Sequence, residues 1–182
     1  SMDASYIYEC RKAFVSEFTP IFQSLYLSLC DNDVEKVSIQ YASHISRGDL
    51  KEQLTSFRAK ERIVGYTLHG VHRDDLELYL NEYPIRQEGS QGQTKTYFIA
   101  LKLAQFLYLK ERGNQHTPLL LLDDIFDKLD AGRVARIINY VSGNAFGQIF
   151  ITDTNREHLD SILAMTTKDY KLFHVSNGDI KE

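Results

Sequence analysis

Two acidic residues, Asp123 and Asp124, follow directly on the apolar run Leu119-Leu120-Leu121-Leu122. A hydrophobic strand that delivers a carboxylate pair at its carboxyl end suits a nucleotide hydrolase. One carboxylate can orient Mg2+ or its water shell, and the other can polarise an attacking water. The same pair also fits a strand running into an acidic turn or helix cap. Upstream, Ser90-Gln91-Gly92-Gln93 stands immediately before a long helical pattern. A hydroxyl residue and a glycine at a helix amino terminus present free N–H groups and the positive end of the helix dipole, which is what holding a phosphate requires. A plain serine cap with a glycine-containing turn is the alternative.

The elements that must position these residues are legible from periodicity. Thr94 to Arg112 places Tyr97, Ala100, Leu101, Ala104, Leu107 and Tyr108 at helical core spacing, with Lys95, Lys102, Lys110 and Arg112 assigned to a solvated face. Leu119 to Leu122 reads as a strand buried on both faces. Arg133 to Val141 reads as a helix with Arg133 and Arg136 on its polar side, Gln148 to Ile151 as a second buried strand, and Arg156 to Leu163 as a helix. Tyr170 to Val175 reads as a closing strand before the turn Asn177-Gly178. Strands alternating with helices predict a parallel sheet flanked by helices, an α/β fold, with ligands at the carboxyl ends of the strands.

The amino-terminal part has a different texture. Tyr6, Tyr8, Phe14, Phe18, Phe22, Leu25 and Leu29 recur at helical spacing, predicting one or two helices broken near Thr19-Pro20. Helical spacing with few basic partners makes these aromatics core rather than a base-stacking surface. Asp31-Asn32-Asp33 reads as a turn, Val37 to Tyr41 as a strand, and the stretch from Asp49 to about Ile63 as a polar helix. Tyr66 to Val71 and Leu76 to Leu80 read as strands joined by His72-Arg73-Asp74-Asp75. That loop is either a hairpin with self-paired charges or an interface or DNA-contacting element.

The 182 residues suit one ordinary domain or slightly more, and a chain of this size buries roughly 70 % of its unfolded surface. With 43 % hydrophobic and 25 % charged residues, disordered and fibrous classes are excluded. The 21 Lys and Arg against 25 Asp and Glu leave a net charge of −4, which excludes a uniformly basic nucleic-acid trap but not a local basic patch. Cys10 and Cys30 have no ligand-spaced partners, pointing away from zinc and towards a reducing setting. No apolar run approaches the ~20 residues of a membrane helix, and no leader is evident. Ser1 before Met2 reads as a remnant of proteolytic processing, so the sequence is expected to be a piece of something longer.

Taken in order, these motifs resemble the ABC-type ATPases: a Ser-x-Gly-Gln signature before a helix, then a Walker B strand with two acids. Asp127-Lys128-Leu129-Asp130 stands where that family keeps its D-loop, and Ile149-Phe150-Ile151-Thr152 where a strand leads to the switch. A closer resemblance is to the RecF family of bacterial recombination and replication-repair ATPases, related to SMC proteins. It is carried by Gly70-Val71-His72-Arg73-Asp74-Asp75-Leu76, by Ser90-Gln91-Gly92-Gln93 with Ala100-Leu101-Lys102-Leu103-Ala104, and by Leu121-Leu122-Asp123-Asp124 through Leu129-Asp130. It runs from about Val37 to Thr154. The chain departs from the pattern at Asp127 and Lys128, where a small residue and an acid are usual, at Val71, where proline is usual, and at Asp153, where an ABC switch carries histidine. No Gly-x-x-x-x-Gly-Lys-[Ser/Thr] phosphate-binding loop occurs.

The resemblance implies the carboxyl-terminal portion of an ABC-ATPase head, residues 66–182, preceded by a helical lobe remnant with one or more strands, residues 1–65. It implies Asp123 as the Mg2+-supporting Walker B carboxylate and Asp124 as the general base or water-orienting group. Ser90, Gln91, Gly92 and Gln93 would contact ATP held by an opposite head, Asp130 would lie at the dimer interface, and Thr152, Asp153 and Thr154 would form the switch region. The parent would bind ATP and DNA, at gaps or single-strand/duplex junctions, as an ATP-dependent homodimer working with RecR and RecO type mediators in the bacterial cytoplasm at the nucleoid. The chain alone would be inactive for lack of the phosphate-binding loop. Two other readings stand beside this one. The first is a non-catalytic interaction module with a degenerate ATPase-head fold. The second is a metal-dependent phosphodiesterase using Asp123 and Asp124, weakened because a two-metal site wants more converging acids.

Overall fold

The structure, a computed structural model, describes residues 2–30, 34–113, 117–124, 126, 129–165 and 169–181. The expected turn at 31–33 and the D-loop positions Asp127 and Lys128 lie outside the described residues. The first element is one continuous helix, α1 (Met2–Leu29), with Pro20 inside it. The break expected at Thr19-Pro20 does not occur. Proline removes one backbone donor and crowds the preceding turn, but Phe18, Phe22, Leu25, Tyr26 and Leu29 are all buried on one face, and that burial outweighs the local penalty. The Thr19 hydroxyl donates to the Val15 carbonyl at 2.7 Å. The aromatic core begins only at Val15; Met2 and Tyr6, on the first turns, are 90 % and 72 % exposed.

Strand β1 (Val37–Ala42) pairs antiparallel with β2 (Asp75–Leu80), Val37 opposite Leu80 and Ala42 opposite Asp75. The short β3 (Tyr83–Pro84) completes this sheet, in the order β1-β2-β3. Between β1 and β2 runs helix α2 (Leu50–Val64). The Asp49 side chain caps its start by accepting from the Glu52 N–H, and Gly65, in the left-handed region at φ 78°, ends it. Tyr66 to Val71 is not a strand, because the β2 edge expected to receive it is taken by β1. Instead the chain makes a single 3-10 turn over Val71–Arg73.

After a four-residue helix, α3 (Ile85–Glu88), comes the central helix α4 (Gln91–Arg112). It lies along α1, with Phe22 and Tyr97 rings 4.8 Å apart and Ala100, Leu103 and Ala104 fully buried. Strand β4 (Leu120–Asp123), helix α5 (Ala131–Val141), strand β5 (Ile149–Thr152) and helix α6 (Arg156–Met165) follow. β4 and β5 run parallel, Leu120 opposite Ile149 and Asp123 opposite Thr152, with α5 as the crossover. One apolar core runs continuously from Val15 on α1 through β1, α4, β4 and α5 to Ile162 on α6.

Three further strand readings need correction, the first being β5, which is half-covered and not buried: Ile149 and Ile151 are partly buried and Phe150 is 47 % exposed. β4 is buried on one face only: Leu120 and Leu122 point inward, while Leu119 and Leu121 are 60 % and 69 % exposed. Among the described residues β4 pairs with β5 alone, so its outer edge and one face are open. An open groove of about 590 Å³ lies there, between the strand and the Phe98, Lys102, Phe106 and Leu109 side of α4. The closing strand is instead a hairpin, β6 (His174–Ser176) with β7 (Asp179–Lys181), turned by Asn177 and Gly178, both at positive φ. That is the geometry Asn-Gly favours in a two-residue hairpin loop.

Candidate functional site

The Ser90 side chain caps α4 by accepting from the Gln93 N–H at 3.2 Å, while the Gln93 side-chain oxygen accepts from the Ser90 N–H at 2.9 Å. This capping box starts the helix earlier than periodicity predicts, so Gln91, Gly92 and Gln93 form its first turn. The side-chain oxygens of Ser90 and Gln93 are thereby committed to the backbone. The N–H groups of Gln91 and Gly92, at the first two helical positions, have no intrahelical acceptor and point out along the positive end of the dipole.

The remaining amide of Gln93 donates to Glu35 Oε1 at 2.8 Å, and the buried Tyr26 hydroxyl donates to Glu35 Oε2 at 2.6 Å. Burial pushes the Glu35 carboxyl up, but the bonds from Tyr26 and Gln93 and the Arg133 charge outweigh it, leaving its pKa below the usual carboxylate value. Burial pushes the Tyr26 hydroxyl well above its ordinary value, so it stays a donor. Arg133 packs its guanidinium against Gly92, where a Cβ would overlap it, and pairs with Asp130 at 3.4 Å. Asp130 caps α5 by accepting from the Arg133 N–H at 2.9 Å, a bond that lowers its pKa. The turn Ser90 to Gln93, Asp130 and the segment after α1 thus meet at Glu35 and Arg133.

Asp123 and Asp124 are exposed at the carboxyl end of β4. The Thr152 hydroxyl donates to Asp123 Oδ1 across the parallel pair. Asp124 sits at φ 46°, in the left-handed region that ordinary residues avoid, and its N–H donates to the Thr152 carbonyl at 3.1 Å. Lys95 Nζ donates to the Asp124 carbonyl at 3.2 Å and so ties the first turns of α4 to the acidic turn. Asp153 accepts from the Asn155 N–H at 2.7 Å, ordering the turn that contains Thr154. The structure therefore gathers Asp123, Asp124 and Thr152 at one strand end, and Ser90 to Gln93 with Asp130 around Arg133.

Several residues do other work than their sequence context suggests. Lys95 and Lys110 are only partly exposed and reach backbone carbonyls, of Asp124 and Ala145, while Arg112 stays on the solvated face in a surface pair with Glu17. Arg136 donates to the Leu29 carbonyl at 2.8 Å and closes the end of α1 instead of decorating a polar face. Glu35 and Tyr26 carry no sequence signal, since their partners lie on α4 and α5. In His72-Arg73-Asp74-Asp75, the Asp74 side chain is 1 % exposed; it pairs with Arg11 at 3.2 Å and accepts from the Tyr41 hydroxyl. Asp74 is thus an internal anchor between α1 and the start of β2, and the self-paired hairpin does not exist.

No family model matches the chain. Individual proteins do. It is 54 % identical over 176 residues, 97 % of its length, to the DNA replication and repair protein RecF of Phocaeicola vulgatus, and 55 % identical over the same share to that of Bacteroides fragilis. The chain belongs to the RecF family. It spans about half the length of the curated RecF relatives it matches, 47 % in both cases. A solved structure of the recombination mediator protein RecF with ATP in the RecFOR pathway superposes with a TM-score of 0.70 at 26 % identity, covering 98 % of this chain and 46 % of that one. A structure of SMC ATPases superposes at 0.53 with 16 % identity over 93 % of this chain, a likeness of fold between RecF and SMC heads. The α/β reading as part of an ATPase head holds. Among the described residues, no helix is long and apolar enough to cross a membrane.

Proposed function

We propose that the chain is the carboxyl-terminal part of an ATP-driven bacterial DNA repair protein. In this reading residues 66–182 are the second half of an ABC-type head and residues 1–65 a helical lobe remnant. What carries it is the exposed pair Asp123 and Asp124 at the carboxyl end of a parallel strand, in a chain more than half identical to RecF along nearly all its length. Asp124 orients and deprotonates the attacking water. Ser90, Gln91, Gly92 and Gln93 face the γ-phosphate of ATP on the opposite head, with the N–H groups of Gln91 and Gly92 as the donors. Asp130 lies at the interface between heads, and Thr152, Asp153 and Thr154 sense the state of the nucleotide. The open edge and apolar face of β4 are where the half carrying the phosphate-binding loop packs, so the chain alone does not hydrolyse ATP.

Mg2+ fits the donor set, because this ion takes one or two carboxylates and keeps its waters, and two exposed carboxylates share the strand end. Asp123, held by the Thr152 hydroxyl, is the residue that would hold it, directly or through its water shell, which leaves Asp124 free for the attacking water. When bound it offsets the charge that develops on the transferred phosphoryl group. The parent acts on DNA at gaps or single-strand/duplex junctions with RecR and RecO type mediators, in the cytoplasm at the nucleoid. Binding and loss of ATP between heads closes and opens the dimer.

The test is turnover of the full-length parent. Asp124→Asn lowers kcat about 10²-fold or more, the usual worth of a general base, and leaves ATP binding in place; Asp123→Asn removes Mg2+-dependent turnover. Ser90→Arg blocks the ATP-dependent dimer in sedimentation while each protomer still binds ATP. Unchanged turnover in both aspartate variants would overturn the reading in favour of a non-catalytic interaction module.

A further inference from the structure

We propose that helix α2 is a docking face for the phosphate backbone of duplex DNA, through a stripe made by Lys51, Arg58 and Arg62. The proposal rests on the reading of the parent as a DNA-binding protein and assigns the contact to one element. Between Arg47 and Arg73 six cations stand against three carboxylates, in a chain whose net charge is −4. At 3.6 residues per turn, Lys51, Thr55, Arg58 and Arg62 fall within an arc of about 60° and span about 16 Å. All four are exposed.

The orientation of the helix is set by its other side. Phe57 packs on the His69 ring at 4.0 Å between centroids, and Glu61 Oε1 accepts from the N–H groups of Leu68 and His69 at 2.7 and 3.3 Å. The Gln53 amide donates to the carbonyls of His44 and Gly48 at 2.9 and 3.1 Å. Two of the three carboxylates are consumed by this mounting: Glu61 by the loop and Asp49 by the helix cap. The third, Glu52, lies about 100° around the helix from Lys51. Lys51, Arg58 and Arg62 have no ion-pair partner among the described residues. Arg58 and Arg62 are moreover a like-charge pair four residues apart, an arrangement that disfavours the isolated helix. A polyanion laid along the stripe relieves that repulsion. The exposed apolar residues of α2, Leu54, Phe57, Ile63 and Val64, lie outside the arc of the stripe, and a regular row of cations without an apolar residue among them matches a phosphate backbone better than an acidic protein surface.

The experiment measures binding of a fluorescein-labelled 30-base-pair duplex to the 182-residue chain by anisotropy, across a salt series. The triple variant Lys51→Ala, Arg58→Ala, Arg62→Ala keeps the helix, since alanine is its best former; far-ultraviolet circular dichroism checks this. The proposal expects at least about a 10-fold weaker Kd and a loss of roughly 3 in the slope of log K against log salt, near 0.9 for each phosphate contact. It further expects that Arg58→Lys with Arg62→Lys binds as the parent sequence does. A chain that binds the duplex with the alanine variant unchanged overturns the stripe and leaves DNA binding by the parent standing. A chain that does not bind the duplex overturns the stripe too, and binding of the same duplex by the full-length parent then decides the functional reading separately. Equal affinity for poly-glutamate and duplex at matched salt overturns it in favour of an acidic protein partner.

Discussion

Replacing Glu35 with alanine tests whether the turn Ser90 to Gln93 is held from behind. Its carboxylate accepts from the Tyr26 hydroxyl at 2.6 Å and from the Gln93 amide at 2.8 Å. Tyr26 is fully buried, so the variant strands a hydroxyl away from water, which costs about 1–3 kcal/mol. Freeing Gln93 also loosens the capping box, worth about 0.5–1 kcal/mol. The expected loss is about 2–4 kcal/mol, read by urea unfolding as a midpoint shift of about 1 M or more at unchanged m. The pH dependence has a definite sign. The folded pKa of Glu35 lies below its ordinary value of 4.5, so its stabilising share is complete above that pH and disappears as pH falls through the folded value. The gap between parent and variant is therefore flat from neutrality down to about pH 4.5 and closes below it. Tyr26→Phe in combination should recover about 1 kcal/mol or more through a double-mutant cycle, because no hydroxyl is then stranded. A loss under about 0.5 kcal/mol, or a gap that widens on acidification, would refute the hub.

Pro20→Ala restores a backbone donor inside α1 and is expected to raise stability by about 1–3 kcal/mol in the same urea assay. Asp74→Ala leaves the Tyr41 hydroxyl and the Arg11 guanidinium without their shared acceptor; it is expected to cost about 2–4 kcal/mol, and Asp74→Asn less, by thermal unfolding. Leu103→Ala opens a cavity in the fully buried core around α4, at about 2–5 kcal/mol, with full retention of helical circular dichroism as the check on fold. Leu121→Asp on the open face of β4 is expected to leave the isolated chain within about 0.5 kcal/mol of the parent sequence, because that side chain is already 69 % exposed. A large loss there would mean that the face is covered within this chain.

Local chemistry was legible where a residue's partner lies within a few positions. The helix start at Asp49, the turn at Asn177-Gly178 and the serine cap at Ser90 are all contacts between near neighbours, and each can be read from local sequence, whereas the reciprocal Gln93 bond and the hairpin around the turn were not. The parallel β4·β5 pair was legible too, because the crossover helix between two apolar runs leaves no other pairing of the same hand. What spacing does not carry is partner choice across the chain. Tyr66 to Val71 has strand composition, yet β1 takes the edge of β2 first. Pro20 marks a break by every local rule, yet one face of α1 is buried along α4 on both sides of it. Lys95 and Arg136 look like solvated charges on their own helices, and both reach backbone carbonyls on other elements, while Arg133 packs against Gly92 at the start of α4.

The misread Leu119 to Leu122 run is the most informative of these, because the pattern was sound and the inference from it concerns more than this chain. Four leucines in a row predict a strand covered on both faces, while the structure covers only the face of Leu120 and Leu122. An apolar side chain gains nothing from water, about 25 cal/mol being lost per Å² left exposed. In the reading proposed above, Leu119 and Leu121, with the groove of about 590 Å³ beside them, answer to a neighbour outside these 182 positions. The chain spans 47 % of its RecF relatives, so the half that supplies such a neighbour exists in them. The acidic pair sits at the end of this same strand, so whatever covers Leu121 also closes the wall beside Asp123. The chemistry proposed for Asp123 and Asp124 and the exposed leucines before them therefore make one demand, which is a second half-head packed on the open side of β4.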